Sequence, residues 1–157
     1  SLYSKEEICQ VLDSNYKPDV IQMPMNILDT RLYRCGVLSK LFDRGIEIHV
    51  RSVFLQGLFY LSKTDLGDSF KDVLPYLEKL KSISAEAGLD IAELSLLWLV
   101  SLKEVSKVII GIDNVNQLKA HLETLKKNVD SSVFEQALSI KYENENILNP
   151  SLWPIKS

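Results

Sequence analysis

At 157 residues, with 46% apolar and 25% charged side chains, the chain suits one domain with a sizeable core. A formal net charge of −3, with no run of five like charges, argues against a nucleic-acid footprint or a polyelectrolyte tail. No apolar stretch reaches the roughly 18 residues that cross a bilayer, and Ser1 to Glu7 does not read as a signal peptide, so no membrane partner is expected.

Cys9 and Cys35 have no metal-type spacing and read as reduced, buried thiols of a cytoplasmic protein. The chain opens on a helix. Ser4 is a cap, Glu7 completes a capping box, and Ile8, Val11 and Leu12 form an apolar stripe. A helix with hardly any strand before it suggests that something upstream is missing. Asn15 to Pro18 breaks the pattern. Asp19 to Asn26 then reads as a strand that ends near Pro24. Its polar residue, Gln22, is either an amide satisfying nearby backbone or a ligand contact at a strand end.

Arg31 to Arg44 is predicted as one helix that buries Leu32, Val37, Leu38, Leu41 and Phe42 and stops at Gly45. Arg31 and Arg34 read as a solvated helix start near Asp29. Ile46 to Ser52 alternates, with Ile46, Ile48 and Val50 on one face and Glu47, His49 and Arg51 on the other. Strand, helix, strand with short links is a βαβ unit with parallel pairing. In a parallel barrel the charged face would be the lumen. Phe54 to Leu66 reads as a loop with one short helical turn.

Ser69 to Ala87 repeats its apolar residues at helical spacing, with Pro75 as a bend or the true start. Asp90 and Glu93 form a capping box for Ile91 to Leu102, apolar nearly all round and so expected to be buried on more than one side. Val105 to Ile112 reads as a strand buried on both faces. Asn114 caps a helix with the stripe Val115, Leu118, Leu122 and Leu125, and the start of that helix is a possible anion site. Val133 to Tyr142 is a further helix. Asn149 to Pro154 is an extended tail in which Trp153 packs back.

Spacing alone yields no catalytic constellation and no metal site. His49 reads as a satisfied core or lumen residue, Ser52 lacks a glycine elbow, and Gly-rich phosphate loops are absent.

Several segments, taken in order, resemble the C-terminal half of an aldo-keto reductase. Ser1 to Ile8 is similar to the family's Gly-Val-Ser-x-x-Ser-Pro-Glu-x-Leu segment, and Asp19-Val20-Ile21-Gln22 to its sixth strand. Gly45 to Leu58 resembles the seventh strand with its Ser-Pro-Leu-x-x-Gly pattern. Ala92 to Leu99 is similar to the Gln-x-Ala-Leu-x-Trp-Leu helix, and Val108 to Leu118 to the Ile-Pro-Gly…Gln-Leu cofactor segment.

The resemblance implies an α/β fold that is a partial TIM barrel over residues 1–157. It would hold about three parallel strands with flanking helices, and the N-terminal half of the barrel would be absent. It implies NADPH (or NADH) as cofactor and a small carbonyl substrate of the complete barrel. Ser1 and Gln22 would hold the nicotinamide carboxamide. Arg51 stands where many members stack an aromatic ring on the nicotinamide. Ser52, Phe54 and Gln56 would line the pyrophosphate path. Gly111, Ile112, Asn114 and Gln117 would hold the adenosine phosphate, with His121 near the adenine.

Gln117 replaces the arginine that clamps a 2′-phosphate in many members, and Gly111 replaces a basic residue. Ile110 and Val53 replace prolines. The family's catalytic Asp, Tyr, Lys and His come from its first four strands, which have no counterpart here. The chain is therefore expected to contribute cofactor-binding elements and to be inactive alone. The alternative is a self-standing, non-catalytic half-barrel that binds a nucleotide or a protein partner. In either case, exposed barrel edges favour an oligomer.

Overall fold

The computed structural model describes residues 1–153. Its three strands, β1 (Val20–Pro24), β2 (Glu47–Arg51) and β3 (Lys107–Val108), pair in parallel and in chain order. Val20 lies opposite Glu47 and Pro24 opposite Arg51, while His49 and Val50 face Lys107 and Val108. This is an open arc of a parallel barrel. The alternation expected in β2 is present: Ile48 and Val50 are fully buried, Glu47 is exposed, and His49 and Arg51 lie between.

Local signals set most of the helix starts. In α1 (Lys5–Asp13) the Ser4 hydroxyl accepts from the Glu7 N–H and the Glu7 carboxylate accepts from the Ser4 N–H, both at 3.2 Å. The single helix expected over 31–44 is two, α2 (Arg31–Arg34) and α3 (Val37–Asp43). Gly36 separates them at φ +74°, a left-handed conformation that a helix interior cannot hold. Phe42 is 45% exposed, not buried, because Val37, Leu38 and Leu41 take the core side and leave it at the margin of the stripe. Gly45, at φ +66°, ends α3 as expected.

After β2 the predicted loop contains a 3-10 helix, Leu55–Tyr60. The helix expected from Ser69 begins as a separate 3-10 turn, Asp68–Phe70, followed by α4 (Leu74–Glu86). Pro75 lies in the first turn of α4, where its missing N–H has no partner to lose. The Asp90–Glu93 capping box opens α5 (Ile91–Ser101): Glu93 N–H donates to the Asp90 carboxylate at 2.7 Å. Most of α5 is buried, but Val100 is 47% exposed, so the helix is not enclosed all round.

The ladder of β3 is shorter than the predicted strand, and Ile109 is 41% exposed. Nothing among the described residues pairs with its outer side, so it is a sheet edge rather than a strand buried on both faces. The same openness affects α6 (Val115–Thr124). Its stripe, expected to be buried, is exposed at Val115, Leu118, Leu122 and Leu125. Asn114 caps α6 as expected, accepting from Gln117 N–H at 3.0 Å.

The helix expected at 133–142 is α7 (Ser131–Leu138), which starts earlier because the Asp130 carboxylate caps it at Ser132 N–H. A short α8 (Glu145–Leu148) precedes the expected extended tail, in which Pro150–Leu152 forms a 3-10 turn instead. Pro154 lies outside the described residues. Trp153 packs back as expected, edge-on to Phe70 at 5.0 Å, and its indole N–H donates to the Ile147 carbonyl at 2.9 Å.

Polar ties hold this C-terminal segment. Asp72 accepts from the Tyr142 hydroxyl at 2.8 Å and from the Asn144 amide at 2.6 Å. Arg31 forks onto Asp29 at 2.8 and 3.1 Å and reaches Glu145 at 2.9 Å, and Arg34 pairs with Glu143. Arg31 and Arg34 are therefore clamps between segments and not a solvated helix start. Both thiols are free, and they are half-buried rather than buried.

Trp98, 1% exposed and edge-on to Tyr33 at 5.5 Å, anchors α5 in the core. Trp98→Ala should destabilise the chain by about 3–5 kcal/mol, read as a lower urea midpoint.

Candidate functional site

The strand ends of β2 and β3 and the starts of α5 and α6 surround a cavity of about 810 Å³. Its position follows from the backbone after Arg51. Ser52, Leu55 and Gln56 hold φ of +62°, +45° and +53°, and Gly57 follows at +83°. Left-handed non-glycine residues cost on the order of 1–3 kcal/mol each, so surrounding contacts must fix them.

Two buried polar side chains do so. Ser95, fully buried in α5, donates from its hydroxyl to the Val53 carbonyl at 2.9 Å and accepts from Ile27 N–H at 3.2 Å. Asn26, 1% exposed, donates to the Ser52 carbonyl at 3.1 Å. Its amide oxygen accepts from Leu28 and Asp29 N–H at 3.0 and 2.9 Å. The loops that leave β1 and β2 are thereby tied to each other and to α5.

Arg51 leaves β2 into the cavity wall. Its guanidinium lies over the Tyr3 ring at 4.5 Å and donates from one terminal nitrogen to the Ser52 hydroxyl at 3.1 Å. The other terminal nitrogen is buried with no partner among the described residues. A buried charged donor without an acceptor is costly unless something enters to accept from it.

Further along the wall, Phe54 stacks on His121 with ring centres 4.9 Å apart and planes within 16°, and Tyr60 tilts against Phe54 at 5.6 Å. Burial, then Asp90 and Glu93, push the Tyr60 hydroxyl up to about 12. Burial opposes the charge on Glu93. Lys127 at 2.6 Å, the Asp90 N–H and the Thr124 hydroxyl outweigh it and hold the carboxyl below its usual range.

The cavity brings together Arg51, Ser52, Phe54, Gln56, Gly111, Gln117 and His121 from the sequence-predicted set. It leaves out four. Ile112 is 41% exposed, and the Asn114 side chain is engaged in its cap. Ser1 and Gln22 bond to each other, hydroxyl to amide oxygen at 3.2 Å, away from the cavity wall. His49 is half-buried and pairs with Glu47 at 3.2 Å, and no metal-binding cluster occurs among the described residues.

Sequence reading missed Tyr60, Asp90, Glu93 and Asp113 as wall residues. The capping box at Asp90 was visible, but not what its helix start would face. Asn26 and Ser95 carried a signal, as polar residues set within apolar runs.

A model of the aldo/keto reductase family matches residues 1–141. Among solved structures, the holo form of aldo-keto reductase AKR11C1 from Bacillus halodurans aligns with a TM-score of 0.67 at 20% identity. It covers 90% of this chain and 51% of that one. The apo form aligns with a TM-score of 0.68, also at 20% identity, covering 90% and 52%. A thermostable aldo-keto reductase, Tm1743, in complex with the inhibitor epalrestat, aligns with a TM-score of 0.60 at 19% identity, covering 82% and 42%. The chain thus spans about half the length of the structures it matches.

Ser95→Ala leaves the Val53 carbonyl and the Ile27 N–H without their buried partner. It should cost about 1–3 kcal/mol of stability in urea unfolding.

Proposed function

The chain belongs to the aldo/keto reductase family, and from that premise we propose that it supplies the cofactor groove of an NAD(P)H-dependent reductase of aldehydes and ketones. The observation that best supports this reading is the cavity at the strand ends, which joins the unpartnered Arg51 nitrogen to the flat Phe54–His121 face. A dinucleotide offers both an anionic diphosphate and an aromatic base, and the donor set fits it.

When bound, the nicotinamide cofactor supplies the hydride. The residues of this chain would bind and orient it. Arg51 would donate to a cofactor oxygen, with Ser52 and Gln56 beside it along the diphosphate path. Phe54 and His121 would flank the base, and Gly111, Ile112, Asn114 and Gln117 would hold the adenosine end. Ser1 and Gln22, already in contact, would turn their hydroxyl and amide toward the carboxamide. Positioning of this kind lowers a barrier without any of these groups reacting.

The carbonyl oxygen must still receive a proton. The family's tetrad has no counterpart in this chain, so the acid would come from the other half of a complete barrel, which would also hold the small carbonyl substrate. A cytoplasmic site of action suits this chemistry. Among the described residues no helix is long and apolar enough to cross a membrane.

The exposed stripe on α6 favours a second reading, a non-catalytic half-barrel that binds a nucleotide or a protein partner and associates through its open edge. Sedimentation of the chain as a clean monomer would count against association through the open edge.

Titration of the chain with NADPH and NADH, followed by nucleotide fluorescence, should give weak, saturable binding. Arg51→Ala should weaken it about tenfold, as expected for loss of a charge-assisted hydrogen bond. No binding at millimolar nucleotide would overturn the groove reading. Carbonyl reduction by the chain alone should be nil, and measurable turnover would place a proton donor within it.

A further inference from the structure

Resting on the groove reading above, we propose that the α6 end of the cavity selects an adenine dinucleotide with a free ribose 2′-hydroxyl, NADH in preference to NADPH. The charges of the wall carry the argument. Three carboxylates line the cavity, Asp90, Glu93 and Asp113, and Arg51 is its one permanent cation among the described residues. Glu93 is compensated by Lys127 at 2.6 Å. Asp90 and Asp113 have hydrogen-bond partners but no cation partner among the described residues. Arg51 is engaged with Ser52 and Tyr3 at the end of β2.

Two backbone donors at the start of α6 are also taken. Asp113 N–H donates to the Gln117 side-chain oxygen at 2.8 Å, and Gln117 N–H donates to the Asn114 side chain at 3.0 Å. The Gln117 amide nitrogen donates to the Asp113 carboxylate at 3.3 Å and so holds that carboxylate at the cavity wall. The raised Tyr60 hydroxyl, pushed first by burial and then by Asp90 and Glu93, agrees with a negative field on this side.

A 2′-phosphate is a dianion best held by a cation, and the α6 end of this wall presents the Asp113 carboxylate with no lysine or arginine among its described lining residues. A ribose hydroxyl is a donor, and the Asp113 carboxylate is a ready acceptor for it. Asp113 and Gln117 are therefore the specificity-determining pair. Asp113 accepts from the 2′-hydroxyl and repels its phosphorylated form, and Gln117 positions Asp113.

The test uses probes that carry the adenosine end alone. The 157-residue chain is titrated calorimetrically with ADP-ribose and with 2′-phospho-ADP-ribose at low salt. ADP-ribose should bind at least about tenfold tighter, a gap that narrows as added salt screens the repulsion. Gln117→Arg should shift the ratio of the two affinities about tenfold or more toward the 2′-phosphorylated probe, and it should weaken ADP-ribose because the Gln117–Asp113 bond is lost. Asp113→Asn should narrow the gap without adding a cation. Helix content by circular dichroism checks that both variants fold.

Equal binding of the two probes, or tighter binding of the phosphorylated one, overturns the selectivity and leaves the groove reading standing. Heat from neither probe at millimolar concentration overturns both.

Discussion

The structure depends on a small buried polar clamp. Asn26 and Ser95 come from different elements, and neither is exposed. Between them they satisfy backbone groups at Ile27, Leu28, Asp29, Ser52 and Val53. Buried backbone groups must be paired, and a loop that leaves a strand end has no ladder to pair with. The clamp lets two successive strand-end loops lie against α5 in one fixed shape. The clamp also holds the carbonyls of Ser52, the first left-handed residue after Arg51, and of Val53. The cavity wall is in this sense a consequence of two hydrogen-bonding side chains in an apolar surround.

The second constraint is the open sheet. A parallel sheet is normally covered on both faces and closed or long at its edges. Here β3 has two laddered residues and an open outer side. The apolar stripe of α6 is left in solvent, and so is Ile109. These are the residues that a continuing barrel would cover. The exposed stripe and the short edge strand therefore have one cause, the lack of a neighbour beyond β3 among the described residues. On the other side, α5 and β2 pack into the core through Leu94, Trp98, Leu99, Ile48 and Val50.

What the sequence made legible divides along the range of the interactions involved. Capping boxes at Ser4 and Asp90 and the stop at Gly45 were readable because donor and acceptor lie within a few residues. The alternation of β2 was readable because pleat fixes which residues share a face. The split at Gly36 was missed because a glycine inside an apolar periodic run competes with the pattern around it, and here the backbone conformation won. The exposure of the α6 stripe could not be read at all. An apolar stripe reports that a helix has a face to bury, and burial depends on a partner supplied elsewhere. For the site, Arg51, Phe54 and His121 were reachable only through resemblance. Asp90, Asp113 and Tyr60 come to the same wall through tertiary packing, which spacing does not encode.

Orientation and proton supply are separable demands in carbonyl reduction. Orientation needs fixed donors, a flat apolar face and a rigid frame, and the β2–α5–α6 wall has all three. Proton supply needs an acid whose pKa is tuned near the working pH, placed against the reacting oxygen. Two ionisable groups on this wall do not suit that task. Tyr60 is pushed away from neutrality, and Glu93 is held ionised by Lys127. Under the proposed function, these groups serve binding and orientation, and the proton is supplied from elsewhere.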